Sequence, residues 1–106
     1  MHGPEPRGHW TASRPQGAFK HLTPGERYDV FQAFTDYDGR THPVGENWRF
    51  VGHNFLPQDD GLSLFVSLDD EREWHIRLQW RPDQQGALID NLEGHIRAIA
   101  ASRIGA

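Results

Sequence analysis

Histidine and carboxylate side chains give this chain its greatest capacity for chemistry. Seven of its 106 residues are histidines, and several of them lie close in sequence to acidic residues. Imidazole nitrogens and carboxylate oxygens can together bind a divalent metal ion, or they can exchange protons with a substrate. The residues that could form such a site are His42, His53, His75, Asp36 and Asp38, with Glu46 as a further carboxylate.

The spacing of these residues matches no established metal-binding or catalytic motif. The sequence has no H-x-x-x-H or H-x-H pattern, and without cysteine it has no zinc site of the Cys/His type. Asp36-x-Asp38-Gly39 resembles the start of a calcium loop but lacks the later ligands of an EF-hand. His75, between Glu73 and Arg77, is the best placed acid/base group. Metal binding or acid/base chemistry is therefore the alternative hypothesis, and we predict no catalytic residue and no cofactor.

Three aromatic residues are the leading candidates for binding a partner. Tyr37, Phe55 and Trp80 are predicted at turns or strand ends, from which their rings could line a groove for an extended protein or peptide segment. The same rings could instead fill the core of a small domain. The favoured function is a non-enzymatic binding or accessory module, and a second alternative is a structural homodimer that pairs through a C-terminal helix.

Charge and hydropathy exclude other classes of partner. Residues 1–20 hold three basic residues and one acidic residue, whereas residues 21–106 hold eight basic and fourteen acidic residues. A body this acidic lacks the basic surface that attracts phosphates, so nucleic acid is not an expected partner. No apolar stretch is as long as the hydrophobic region of a signal peptide or as a membrane span. We expect a soluble, cytoplasmic protein without a membrane partner.

The chain divides into a tail and a single domain. Residues 1–20 are rich in Pro and Gly and poor in apolar residues, which predicts a disordered tail. Trp10 is the exception, because an isolated indole could fold back onto the domain or dock on a partner. Residues 21–106 have the length and apolar content of one small domain.

Most of the domain has the pattern of short strands. Apolar and polar residues alternate over 73–80, which predicts a half-buried strand. Further strands are predicted over 28–35, 47–55 and 62–68. Pro43 restricts 41–44 to an edge or an irregular arm, and tight turns are predicted at 36–39 and 57–61.

The period changes near the C-terminus, which predicts a different element. Leu88, Leu92, Ile96 and Ile99 fall on one side of a helix, so a helix is predicted over about 83–102. The expected fold is mainly β with this one helix: a small SH3-like antiparallel barrel, or a bent sheet of four to five strands, capped by the helix. An open α+β sheet with the helix across one face is the alternative.

Four short segments resemble a known family. They are HLTPG at 21–25, FTDYDG at 34–39, HPVGENWRF at 42–50 and NFLP at 54–57. The chain is similar in these segments to a family of small bacterial domains of unknown function, over residues 21–95. The resemblance implies a compact, mainly β domain, and it implies no activity, cofactor or catalytic residue.

Overall fold

The computed structural model describes residues 1–11 and 16–99, and within them the chain is mainly β. A six-stranded and a two-stranded sheet contain the strands β1 (His2–Pro6), β2 (Arg27–Val30), β3 (Phe34–Thr35), β4 (Thr41–His42), β5 (Asn47–Leu56), β6 (Gly61–Ser67), β7 (Arg72–Gln79) and β8 (Ile96–Ala98). The helical residues are α1 (Gly86–Asp90) and a 3-10 turn at Leu92–Gly94. No helix among the described residues is long and apolar enough to cross a membrane.

The large sheet is antiparallel and has the strand order β1-β7-β6-β5-β2-β8. The long central strand β5 changes register against β6 between Phe50 and Gly52, an irregularity typical of a β-bulge. The sheet is not closed, because β1 and β8 form its two edges in the described residues. The prediction of an SH3-like barrel is therefore not confirmed.

Alternate residues of the large sheet form the core on one of its faces. The packed cluster includes Trp48 and Phe50 of β5 with Ile76 and Leu78 of β7, all at most 1% exposed. A fully buried aliphatic or aromatic side chain stabilises the fold by about 1.5–3 kcal/mol. The predicted alternation over 73–80 thus marks the inner face of the sheet.

The predicted C-terminal helix is not formed. Its apolar stripe is divided among three elements, since Ile89 lies in α1, Leu92 in the 3-10 turn and Ile96 in β8, and all three side chains are buried. β8 pairs with β2, so the outer hydrogen-bonding groups of β2 have backbone partners. This long-range pairing prevails over a helical periodicity already weakened by glycines. The described residues contain no long helical face of the kind through which the predicted homodimer would pair. The predicted helix end at Ser102 lies outside the described residues.

The predicted strand over 28–35 is interrupted. Residues 27–30 pair in the large sheet, whereas β3 and β4 form a separate hairpin around the predicted turn at 36–39. The hairpin lies against β7, because the backbone N–H of Tyr37 donates to the carbonyl oxygen of Arg77 at 2.8 Å. This contact places the turn, and the acidic residues within it, beside β7 of the large sheet.

The beginning of the chain differs from the predicted disordered tail. His2–Pro6 form β1 along the edge of β7, and the residues after β1 contact the outer face of β6 and β7. Two prolines are compatible with this position, because an edge strand leaves one row of hydrogen-bonding groups unpaired. Residues 12–15 of the predicted tail lie outside the described residues.

Candidate functional site

The β3–β4 hairpin brings together three of the side chains that could do chemistry. Asp36 begins the turn, and its Oδ1 accepts hydrogen bonds from the backbone N–H groups of Asp38 and Arg40, both at 3.0 Å. A carboxylate that accepts from the backbone two residues later is typical of a tight turn. The turn directs Asp36 toward His42 of β4, and Glu46 follows four residues later. We call Asp36, His42 and Glu46 the carboxylate–histidine cluster.

The imidazole of His42 lies between two carboxylates. Its Nε2 is 2.8 Å from Oδ2 of Asp36, and its Nδ1 is 2.6 Å from Oε2 of Glu46. The ring stacks on Phe34 with centroids 4.6 Å apart. Each ring nitrogen of His42 is thus within hydrogen-bonding distance of a different carboxylate.

Further donors complete the cluster. The indole N–H of Trp48 donates to Oε2 of Glu46 at 3.2 Å, and the amino group of Met1 lies 3.0 Å from Oδ2 of Asp36. Burial by itself raises the pKa of Asp36, but the hydrogen bonds from His42, Met1 and the backbone of Arg40 outweigh it and hold the pKa below its usual value. Donor groups of the protein thus take the place of water around the buried carboxylate of Asp36.

The carboxylate–histidine cluster is closed to outside molecules. The side chains of His42 and Asp36 are fully buried, and the side chain of Glu46 is 12% exposed. Both nitrogens of His42 lie within hydrogen-bonding distance of carboxylates, so neither is directed toward an outside ligand. In residues 1–11 and 16–99, no group of three or more His, Cys, Asp or Glu side chains could hold a metal ion. The arrangement suits a buried structural network.

The other two candidate histidines lie elsewhere. His53 is 7% exposed, and its Nδ1 contacts the carbonyl oxygen of Gly17 at 2.8 Å. His75 lies on the outer face of β7, where its Nε2 contacts the hydroxyl of Ser63 at 2.7 Å. The structure thus brings Asp36, His42 and Glu46 together and leaves His53 and His75 apart from them.

The environment of His75 favours its neutral form. Burial, with smaller contributions from nearby His2 and Arg77, lowers the pKa of His75 to about 4. The carboxylate of Asp38 acts in the opposite direction but does not reverse the shift. The side chain of Asp38 itself faces His2 at 3.0 Å and Arg77 at 3.4 Å.

The three candidate aromatic residues occupy two neighbouring places. Tyr37 is 43% exposed and lies over the guanidinium of Arg77, 5.4 Å from ring centroid to Cζ. Phe55 and Trp80 make an edge-to-face pair with centroids 5.7 Å apart. Phe19 completes a small aromatic cluster with Trp80, at 6.0 Å.

Two surface depressions adjoin these aromatic residues. One has a volume of about 300 Å³ and is bordered by Tyr37, Leu56, Arg77 and Arg81. The second has a volume of about 450 Å³, and its lining includes Trp80, Pro82 and Ala87. Arg81 lines both depressions. We call the two depressions together the Tyr37–Trp80 surface.

A further polar site lies around Glu73, one of the polar residues in the alternating pattern over 73–80. Its side chain is buried, with the residue 3% exposed, and accepts hydrogen bonds from residues 8–11. Trp10, in the same segment, stacks on Phe65. The isolated tryptophan in a Pro- and Gly-rich stretch was the one sequence signal of this contact.

Comparison with known proteins shows to which family the chain belongs. The solved structure of an integron cassette protein from the mobile metagenome of Vibrio cholerae is similar to it, with a TM-score of 0.78 and 31% sequence identity over 82% of this chain and 99% of that chain. No curated protein matches. The family model described as domain of unknown function (DUF3601) matches residues 15–100. The chain therefore belongs to this family of domains of unknown function.

Proposed function

We propose that this domain is a non-enzymatic module that binds an extended segment of a protein partner through the Tyr37–Trp80 surface. The observation that carries the proposal is the exposure of two large apolar side chains beside two guanidinium groups in one depression. Tyr37 is 43% and Leu56 is 49% exposed, and Arg77 and Arg81 line the same depression. Tyr and Arg are among the residues that contribute most to binding energy at protein interfaces.

Catalysis has less support. A general acid or base must come within hydrogen-bonding distance of its substrate. His42 and Asp36 are buried and already hydrogen-bonded to each other, and His75 is bonded to Ser63. These three groups of the alternative hypothesis are therefore already hydrogen-bonded within the protein.

The aromatic part of the surface suits an apolar side chain of the partner. Phe55 packs edge-to-face against the ring of Trp80, and Pro82 and Ala87 line the same depression as Trp80. A rigid aromatic floor loses little conformational entropy when it is covered. We therefore assign Tyr37 and Trp80 to the contact surface and Phe55 to its support.

The charged part of the surface suits an acidic residue of the partner. Arg77 pairs with Asp38 at 3.4 Å and Arg81 with Asp60 at 3.1 Å, and both arginine side chains are nearly half exposed. Exposed pairs of this kind contribute at most about 1 kcal/mol, so a guanidinium can exchange its partner for a carboxylate of a ligand. The proposed ligand is an extended peptide with an apolar side chain next to Asp or Glu.

A random peptide display library selected on the purified full chain tests the proposal. We expect enrichment of peptides that pair an apolar with an acidic residue. For a synthetic peptide from the selection, Tyr37→Ala and Arg81→Gln each lower the affinity measured by calorimetry at least about tenfold.

Val44→Ala is the matched control, because Val44 is 65% exposed and lines neither depression. It leaves the affinity unchanged. A library that yields no enriched peptide, or selected peptides that bind all variants equally, refutes this use of the surface.

A further inference from the structure

Residues 2–11, which we call the N-terminal segment, lie on the domain in the way that a bound peptide lies on a receptor. β1 pairs antiparallel with β7 in the register His2 with His75, Glu5 with Glu73 and Pro6 with Arg72. The backbone approaches closely: a Cβ atom added to Gly3 would lie 2.7 Å from the carbonyl oxygen of Glu73. Addition of an extended segment to a sheet edge is a common mode of peptide recognition.

Glu73 binds the part of the segment that follows β1. Its Oε1 accepts the backbone N–H of Trp10 at 3.0 Å, and its Oε2 accepts the backbone N–H of Gly8 at 3.0 Å and the hydroxyl of Thr11. Burial by itself raises the pKa of Glu73, but these donors outweigh it and lower the pKa. In the described residues, the hydrogen bonds that the Glu73 carboxylate accepts come from the N-terminal segment.

An aromatic platform binds the indole of Trp10. The ring stacks on Phe65 at 6.4 Å with an interplanar angle of 21°, and it lies 5.5 Å from the ring of His75. Phe65 is 5% exposed even though its neighbours Leu64 and Val66 belong to the opposite, core-facing side of the strand. Phe65 thus provides an apolar contact on the outer face of the sheet, separate from the core.

The receptor residues lie within the family domain, and the segment lies outside it. The family match covers residues 15–100, which include β7, Glu73, Phe65 and His75, but not residues 2–11. Without β1, the large sheet has the order β7-β6-β5-β2-β8, so β7 is an edge strand. The family domain thus provides the edge of β7 and the carboxylate of Glu73. The segment that binds to them lies outside the residues matched by the family model.

We propose that the β7 edge, Glu73 and the Phe65–His75 platform form a peptide-binding site that the N-terminal segment occupies in cis. The ligand class is an extended peptide that continues into a turn with free backbone N–H groups, followed by an aromatic side chain. Glu73 recognises the turn, and Phe65 and His75 recognise the aromatic ring. This site differs from the Tyr37–Trp80 surface and does not rest on the function proposed for that surface.

The covalent link determines how strongly a separate peptide can compete. A tethered segment has an effective concentration of roughly the millimolar range, so it excludes a peptide of equal intrinsic affinity from the wild-type site. Substitutions in the segment weaken the tethered ligand but leave the receptor residues intact. Substitution of Glu73 weakens the receptor itself.

The test uses the full chain and a fluorescent synthetic peptide with the sequence of residues 1–11, followed by anisotropy. We expect the Trp10→Ala chain to bind this peptide at least about tenfold more tightly than the wild-type chain does. A peptide that itself carries Trp10→Ala binds at least about tenfold more weakly. Adding Glu73→Gln to the Trp10→Ala chain removes the gain, whereas Glu71→Gln, an equal charge change at an exposed residue, preserves it.

Gly3→Ala in the full chain provides a second way to displace the segment, because the added Cβ meets backbone of β7. It is expected to open the site as Trp10→Ala does. Equal binding to wild-type and Trp10→Ala chains, or equal binding with and without Glu73→Gln, overturns the proposal. Loss of the folded state in both segment variants, seen by circular dichroism, also overturns it, because the segment is then an essential part of the fold.

Discussion

The Nε2 atom of His42 lies 2.8 Å from Oδ2 of Asp36, and the ring has no exposed surface. The same ring contacts Glu46 through Nδ1 at 2.6 Å, so one side chain connects the β3–β4 hairpin to the residue that precedes β5. Residue types that are familiar from catalytic sites serve here to hold a short hairpin against the sheet. Two-residue strands have few backbone hydrogen bonds of their own, so the buried network adds to the backbone contact between Tyr37 and Arg77.

Replacing His42 tests this structural role. His42→Ala leaves the Asp36 and Glu46 carboxylates without their shared hydrogen-bonding partner, and each buried polar group left unsatisfied costs about 1–3 kcal/mol of unfolding free energy. Thr41→Ala, at an exposed position of the same strand, changes it by less than about 0.5 kcal/mol. Urea denaturation measures both variants. Equal, small losses in the two would contradict a network that supports the hairpin.

The contribution of Asp36 depends on pH. Its pKa in the folded state lies below the ordinary 3.8, so its stabilisation is present above about pH 4 and is lost as the pH falls through the folded-state value. Asp36→Asn is expected to lower the unfolding free energy by about 1.5–3 kcal/mol near neutral pH. The gap between wild type and variant then narrows in acid. A gap of constant size from about pH 7 to about pH 3 is incompatible with a carboxylate stabilised by its donors.

His75 makes the stability of the fold depend on pH in a higher pH range than Asp36 does. Its pKa falls from 6.5 in the unfolded chain to about 4 in the folded chain, so between these values the unfolded chain binds more protons. Stability therefore decreases as the pH is lowered from about 6.5 to about 4, by no more than about 3 kcal/mol, and by less because His75 is partly exposed.

The neutral variant His75→Gln isolates this contribution. Glutamine can still hydrogen-bond to Ser63, and it takes up no proton. Thermal unfolding between about pH 7 and about pH 4 is expected to show a flatter profile for this variant than for the wild type. Parallel profiles would show that His75 is not the group responsible.

Two glycines provide a matched pair for close packing. A Cβ atom at Gly86 would lie 2.7 Å from the carbonyl oxygen of Arg81, whereas at Gly17 it would meet no atom within 4 Å. Gly86→Ala is expected to cost about 1–3 kcal/mol of unfolding free energy. Gly17→Ala is expected to be neutral or to stabilise by up to about 1 kcal/mol. Similar thermal midpoints for the two variants would contradict the close approach of α1 to Arg81.

Local patterns were sufficient to predict most of the strands. Strict alternation predicted a strand over 73–80, and β7 spans Arg72–Gln79. The turn chemistry at 36–39 likewise predicted the hairpin that places Asp36 near His42. These features depend on neighbours a few residues away, and such neighbours are visible in the sequence.

Features that depend on distant residues were not predictable in this way. Glu73 is buried because residues more than sixty positions earlier cover it. The apolar stripe near the C-terminus has a helical period, but β8 pairs with a strand that starts at Arg27. The candidate metal set combined His42 with His53 and His75 because sequence spacing alone cannot show which strand faces carry them.

The two prolines of β1 have a consequence for the behaviour of the protein in concentrated solution. Pro4 and Pro6 have no backbone N–H, so the outer row of this edge offers an incomplete template for another chain. The opposite edge, β8, has only three residues. In residues 1–11 and 16–99, one edge of the large sheet thus lacks part of its donors and the other is short, so both are poor templates for pairing with another chain.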